Sequence, residues 1–266
     1  MISTTKQNKS ILKKILTTIG VIVFWIVIWD IASFVINQYN ENLSILVPRP
    51  LVVFKKWIQI VLTKSFIKAE VFTINRMLLG FIIGLISGFW IGILTHISNL
   101  ANAILSPLIK MIRATPVIAI IILMFLFFKS STLPVFIVVL MVMPLVWQCV
   151  HDGLKNAPKQ LLEMARVFKL SYSKTLFKVK LPCISQQIIS TTVSALGLAW
   201  KSGIAAEVIC LPNTSLGILL WQSNNTYAYD EVYAITITVI IISILIELLI
   251  KFLCNKFILS GGTKDA

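Results

Sequence analysis

Among the ionisable side chains within or at the end of apolar runs long enough to cross a bilayer, Asp30, Arg76, Lys201, Glu207 and Glu247 are the candidates for chemistry. A charge at the centre of a membrane helix costs about 2.5–3.5 kcal/mol on insertion scales, so each needs a counter-charge, a hydrated cavity or the bilayer edge. Glu247 and Lys251 stand four apart in the order that favours a local ion pair. Lys201 and Glu207 are six apart, fall on different faces of one helix and have no such local solution. With the neighbouring Trp200 they are candidates to line a polar path through a helix bundle.

A second group of residues suits docking. Asn156-Ala157-Pro158 offers a cap with proline in the first turn, after which Leu161, Ala165 and Phe168 share one helix face while Lys159, Glu163 and Arg166 occupy others. Ser171-Tyr172-Ser173 offers a turn and a second N-cap, and Thr175 to Leu181 a second short helix, which Pro182 is expected to end at the membrane. A stretch of about 30 residues so patterned is longer than an ordinary connection. It reads as a protrusion that seats in a groove on a cytoplasmic partner.

The elements that must hold these groups follow from composition. Of 266 residues, 58% are hydrophobic and 13% charged, with a mean hydropathy of +0.92. That leaves too little polar surface for a water-soluble globule and places the chain among all-α integral membrane proteins. The formal charge of +14 resides at the ends of apolar runs, without an interleaved aromatic stripe, so nucleic acid is not the partner and the lipid bilayer is. A membrane helix needs about 20 apolar residues, and six stretches meet that: 15–36, 71–95, 104–128, 133–150, 184–206 and 232–253. The first is too long for a signal-peptide core and is read as a retained span.

Sidedness follows from the basic residues. Lys6, Lys9, Lys13 and Lys14 precede the first span, seven Lys/Arg lie between Lys155 and Lys180, and Lys251, Lys256 and Lys264 follow the last span. The positive-inside rule makes all three regions cytoplasmic, with both termini inside a multi-pass plasma-membrane protein. The loop from Asn37 to Ala69 opposes this with Arg49, Lys55, Lys56, Lys64 and Lys68. After Pro48-Arg49-Pro50, the residues Phe54, Trp57, Ile58, Val61 and Leu62 recur at helical spacing, as expected of an amphipathic helix in the outer interface. The organisation expected is therefore 1–69 for the first span and interfacial helix, 70–257 for the core including the cytoplasmic loop 152–183, and 258–266 for a tail.

Gly80, Gly84, Gly88 and Gly92 place bare backbone along one face of the second span, where another helix can approach closely. Arg113-Ala114-Thr115-Pro116 in the third span and Pro144 in the fourth each remove a backbone donor, and a kink there serves either packing or a wet path. Arg113 and Pro116 join the path candidates. Cys149, Cys183, Cys210 and Cys254 lack metal-ligand spacing, and His96 and His151 lie at span ends, so no metal or haem site is expected. An ion- or proton-coupled carrier is the alternative reading, and it calls for paired or repeated mid-span carboxylates that the six spans do not offer.

The cytoplasmic segment resembles the EAA loop of binding-protein-dependent ABC importer permeases through Glu163, Ala165, Leu181 and Pro182, the last 19 residues after Glu163. Met164 replaces an alanine of that pattern, and Lys169 stands where it has glycine, a position where positive φ is costly for any side chain. Leu46-Val47-Pro48-Arg49-Pro50, Arg76-Met77-Leu78-Leu79-Gly80-Phe81, Arg113-Ala114-Thr115-Pro116, Gly197-Leu198-Ala199-Trp200, Ala206-Glu207 and Ser215-Leu216-Gly217 are similar to landmarks of the nitrate, sulfonate and taurine importer group. The resemblance implies a type I importer permease: a second permease copy, two cytoplasmic ATPases, and an external binding protein or lipoprotein that delivers a small solute, with a sulfonate- or nitrate-type anion suggested. Glu163, Ala165, Arg166, Lys169, Leu170, Leu181 and Pro182 would couple to the ATPases. No Gly-x-x-x-x-Gly-Lys-Ser/Thr loop is present, so ATP and Mg are expected on the partner, with no cofactor on this non-catalytic chain.

Overall fold

A computed structural model describes residues 2–39 and 45–261, which are helical apart from short connections. The side chains of Lys6, Lys9, Lys13, Lys14, Lys251, Cys254 and Lys256, and all of Lys264, lie outside the described residues. So do the proposed Glu247–Lys251 pair and the end of the expected tail.

Two compact units form: residues 1–64 with 222–237, and 65–221 with 238–266. The first holds α1 (Ile2–Tyr39) and α2 (Pro50–Val61). Arg49 fixes the entry to α2 by donating Nε and Nη2 to the two carboxylate oxygens of Asp30 at 3.0 and 2.8 Å, which supplies that in-span charge with a partner. Asp30 holds the Arg49 guanidinium above its ordinary pKa. Two turns on, Lys56 pairs with Glu231 at 2.9 Å, and that contact raises its pKa. Trp29 stacks on Tyr233 with ring centroids 5.5 Å apart. These side-chain contacts tie 222–237 to the N-terminal helices, a division the expected boundary at residue 69 did not contain. Two of the five basic residues that strained the sidedness reading are thereby paired with carboxylates.

The second unit contains α3 (Lys64–Ile97, from Ser65), α4 (Asn99–Ala114), α5 (Val117–Met124), α6 (Leu133–Lys155), α7 (Lys159–Val167), α8 (Tyr172–Thr175), a π turn (Leu176–Lys180), α9 (Leu181–Cys183) and α10 (Ser185–Cys210). It also takes the first part of α11 (Leu216–Asn225) and most of α12 (Tyr229–Gly261). A Cβ on Gly80, Gly84, Gly88 or Gly92 would approach the Cβ of Val138, Val142, Val146 or Val150, in that order, within 2.7–2.8 Å. The constant offset makes α3 and α6 parallel neighbours, glycine against valine at each turn. Helix α10 runs antiparallel to α6, since Gly153 lies beside Ile184 and Val138 beside Gly203. Ile121, Leu133, Ile137, Ala206 and Cys210 close a core between α5, α6 and α10.

Parallel α3 and α6 require the chain between them to return across the bilayer. That return is the stretch expected as one kinked span, 104–128, and it is instead two helices bent by 104° at Thr115-Pro116. Thr115 is extended (φ −80°, ψ 131°), as a residue before proline prefers, and Pro116 has no N–H with which to continue α4. Among the described residues five other helices are long and apolar enough to cross a membrane, which makes six crossings if this bent pair counts as one span. Helix α6 continues through Pro144 as one element.

Candidate functional site

The loop between α6 and α10 folds as two short helical arms. On α7, Ala165 is buried, Leu161 is half-buried, and Glu163 and Arg166 are exposed. Phe168, expected on the buried face, is 71% exposed beside Val167 at 79%, because it caps the helix at φ −78°, ψ 6° and turns away from it. The outer surface of this arm is therefore apolar as well as charged. Lys169 takes φ 48°; its N–H reaches Arg166 O at 2.9 Å and the half-buried Leu170 reaches Ala165 O at 3.0 Å. That is a Schellman closure with lysine in the position glycine usually fills.

The second arm does not stop at Pro182. Tyr172 to Cys183 runs on as helix, and the π turn widens the ladder so that Leu181 N–H reaches Leu176 O, leaving room for the exposed Pro182 in the following turn. Leu181 is half-buried. Lys180 lies 2.9 Å from His96 Nε2 at the end of α3, and burial lowers its ammonium pKa. At the adjacent residue, Thr95 Oγ1 lies 3.0 Å from His151 Nδ1 and accepts from Trp147 Nε1 at 3.0 Å. The second arm is thus bonded to the end of α3 that is itself bonded to α6.

Of the expected path residues, only some face outward. Lys201 is exposed on α10, and so are Arg113, which bonds Gln148, and Pro116. Trp200 is buried and donates Nε1 to Val239 O at 3.1 Å. Glu207 is fully enclosed. Its Oε2 accepts from Thr73 Oγ1 at 2.8 Å and Gly217 N at 3.4 Å, and its Oε1 accepts from Arg76 Nη1 at 2.9 Å. The same Arg76 nitrogen donates to Thr214 O at 2.9 Å, and Leu216 N donates to Thr73 Oγ1 at 2.9 Å. Three separate sequence landmarks, at Arg76, Glu207 and Ser215-Leu216-Gly217, therefore meet in one knot. Gly217 belongs there because any Cβ would collide with Glu207.

Beside this knot a cavity of about 430 Å³ is lined by Phe72, Arg76, Lys129, Ser130, Ser131, Asn213 and Thr214. Sequence reasoning passed over these loops. Their polar run Lys129-Ser130-Ser131 between two apolar spans was the available signal.

Residues 80–257 match the pattern of the family "Binding-protein-dependent transport system inner membrane component", and the chain belongs to that family. It is thus a permease component of an ABC transport system. It is 27% identical over 189 residues to the nitrate import permease protein NrtB of Leptolyngbya laminosa, covering 70% of this chain and 67% of that protein. It is also 27% identical over 176 residues to the bicarbonate transport system permease protein CmpB of Synechococcus elongatus, covering 65% of this chain and 63% of that one. The chain therefore spans roughly two thirds of the length of these relatives. An amino acid ABC transporter solved with histidines shares the fold at a TM-score of 0.61 and 20% identity, over 78% of this chain and 95% of that one.

Proposed function

We propose that this chain forms, with a second copy around a two-fold axis, the membrane path of an ATP-driven importer for a small anion. Two cytoplasmic ATPases dock on the arms between α6 and α10, and an external binding protein or lipoprotein delivers the solute. The observation that carries this reading is α7: a helix seated through Ala165 whose outer surface offers Glu163, Arg166, Val167, Phe168 and Lys169. Apolar side chains this exposed at the end of a charged helix suit a partner groove better than open water. The cargo class rests on two relatives named for nitrate and bicarbonate, both small monoanions. ATP and Mg belong to the partner chains.

Six crossings put both termini on one side, and the Lys/Arg excess makes that side cytoplasmic. Lys201, exposed within its span, needs water or a counter-charge, so the outward face of α10 is the part that borders the path or the second copy.

Glu163→Lys tests the docking reading, since it reverses a charge that makes no contact on which the fold depends. The expected result is a membrane-inserted protein with normal thermal stability that no longer copurifies its ATPase or supports uptake. Undiminished copurification and uptake would remove α7 from this role.

A further inference from the structure

We propose that the cavity beside Arg76 is an oxyanion site within the permease itself, at the end of the bundle opposite the coupling arms. The location follows from connectivity. The arms join the C-terminus of α6 to the N-terminus of α10, whereas the cavity is built from residues just before α6 and just after α10. The inference deepens the anion-import reading and rests on it for the identity of the cargo.

The lining has the chemistry of an anion cradle. Arg76 and Lys129 bring positive charge, Ser130 and Ser131 bring hydroxyl donors, Asn213 brings an amide, and no carboxylate reaches the wall. Arg76 is fixed rather than free: Nη1 is held by Glu207 and Thr214, and the Phe72 ring lies 5.8 Å from its Cζ. That arrangement aims the remainder of the guanidinium while its own orientation is already set. Glu207 neutralises one of the two cations from behind, so the site retains a single net positive charge. A monoanion with a compact oxygen head, such as nitrate, bicarbonate or a short-chain sulfonate, matches that charge and fits a space of about 430 Å³ with water to spare. A phospholipid headgroup presents the same oxygen chemistry and is the competing source.

Lys129 is the residue to vary, because it is exposed, lies in the connection before α6, and takes no part in the knot around Glu207. The full-length chain, in phospholipid-free maltoside micelles, is titrated calorimetrically with sodium nitrate, bicarbonate and methanesulfonate against chloride at constant ionic strength. The expected result is saturable binding of one anion per chain. It should weaken about tenfold or more in Lys129→Met and return in Lys129→Arg, since a charge-assisted contact is what is removed and restored. Equal affinity in wild type and Lys129→Met, or no saturable binding of any of the three, overturns the cargo site. Lys129-dependent retention of phosphatidylglycerol without binding of the small anions would assign the cavity to lipid and overturn it equally. The measurement needs no ATPase, so failure of ATPase docking and failure of this site register separately.

Discussion

Arg76 and Glu207 show what an in-span charge needs in order to persist. They lie 131 residues apart in sequence and 2.9 Å apart in space, and the carboxylate has three donors around it. Arg76→Met would leave a fully enclosed carboxylate without its cation, a loss on the scale of about 3–5 kcal/mol for breaking a buried pair. Glu207→Gln should cost less, because the amide oxygen still accepts from Thr73 and Arg76 can turn toward the adjoining cavity. Thermal unfolding of the two purified variants checks the order, and a milder Arg76→Met would refute it. Lys169 gives the opposite sign: glycine there should raise stability by about 1 kcal/mol, since a side chain in the left-handed region carries a steric cost that glycine lacks. Lys169→Val should lower it, and a melting series of the three proteins decides. The sequence exposed both the need for a partner at Glu207 and the strain at Lys169, because those follow from residue type. It did not expose Arg76 as the partner, since nothing local links positions that far apart.

At the scale of the element, hydropathy located the spans well because lipid imposes a nearly fixed length on any helix that crosses it. Proline positions were harder to read. The same residue type breaks the chain by 104° at Pro116, leaves α6 whole at Pro144 and sits within a helical run at Pro182. The outcome depends on neighbours: an extended Thr115 in the first case and a widened π turn in the last. The glycine face was legible as a contact, but the valine series opposite was not, because Val is also an ordinary span-filling residue. Gly84→Leu with Gly88→Leu would drive side chains into the backbone of α6 at Val139 and Met143, so the expected outcome is a several-degree fall in melting temperature or loss of the monodisperse protein. A stable double variant would contradict the close approach of α3 and α6.

For the whole molecule, alternation of access requires that some span residue meet water in one state and not in the other. Lys201 is the test position. A Lys201→Cys variant, in a background without the four native cysteines, should react with a membrane-impermeant thiol reagent at a rate that changes when the partner ATPases turn over. Protection in every state, together with normal uptake by Lys201→Met, would place this lysine against lipid or a second chain instead.

The turn-by-turn interlock of α3 and α6 sets a mechanical limit on any such motion. Sliding one helix along the other by less than a full turn, about 5.4 Å, would press a valine Cβ onto peptide backbone, so the pair resists shear and behaves as a single stiff strut. Lys180 at His96 and Ile184 at Gly153 clamp the arms to the foot of that strut. A push delivered there would meet α3 and α6 as one body.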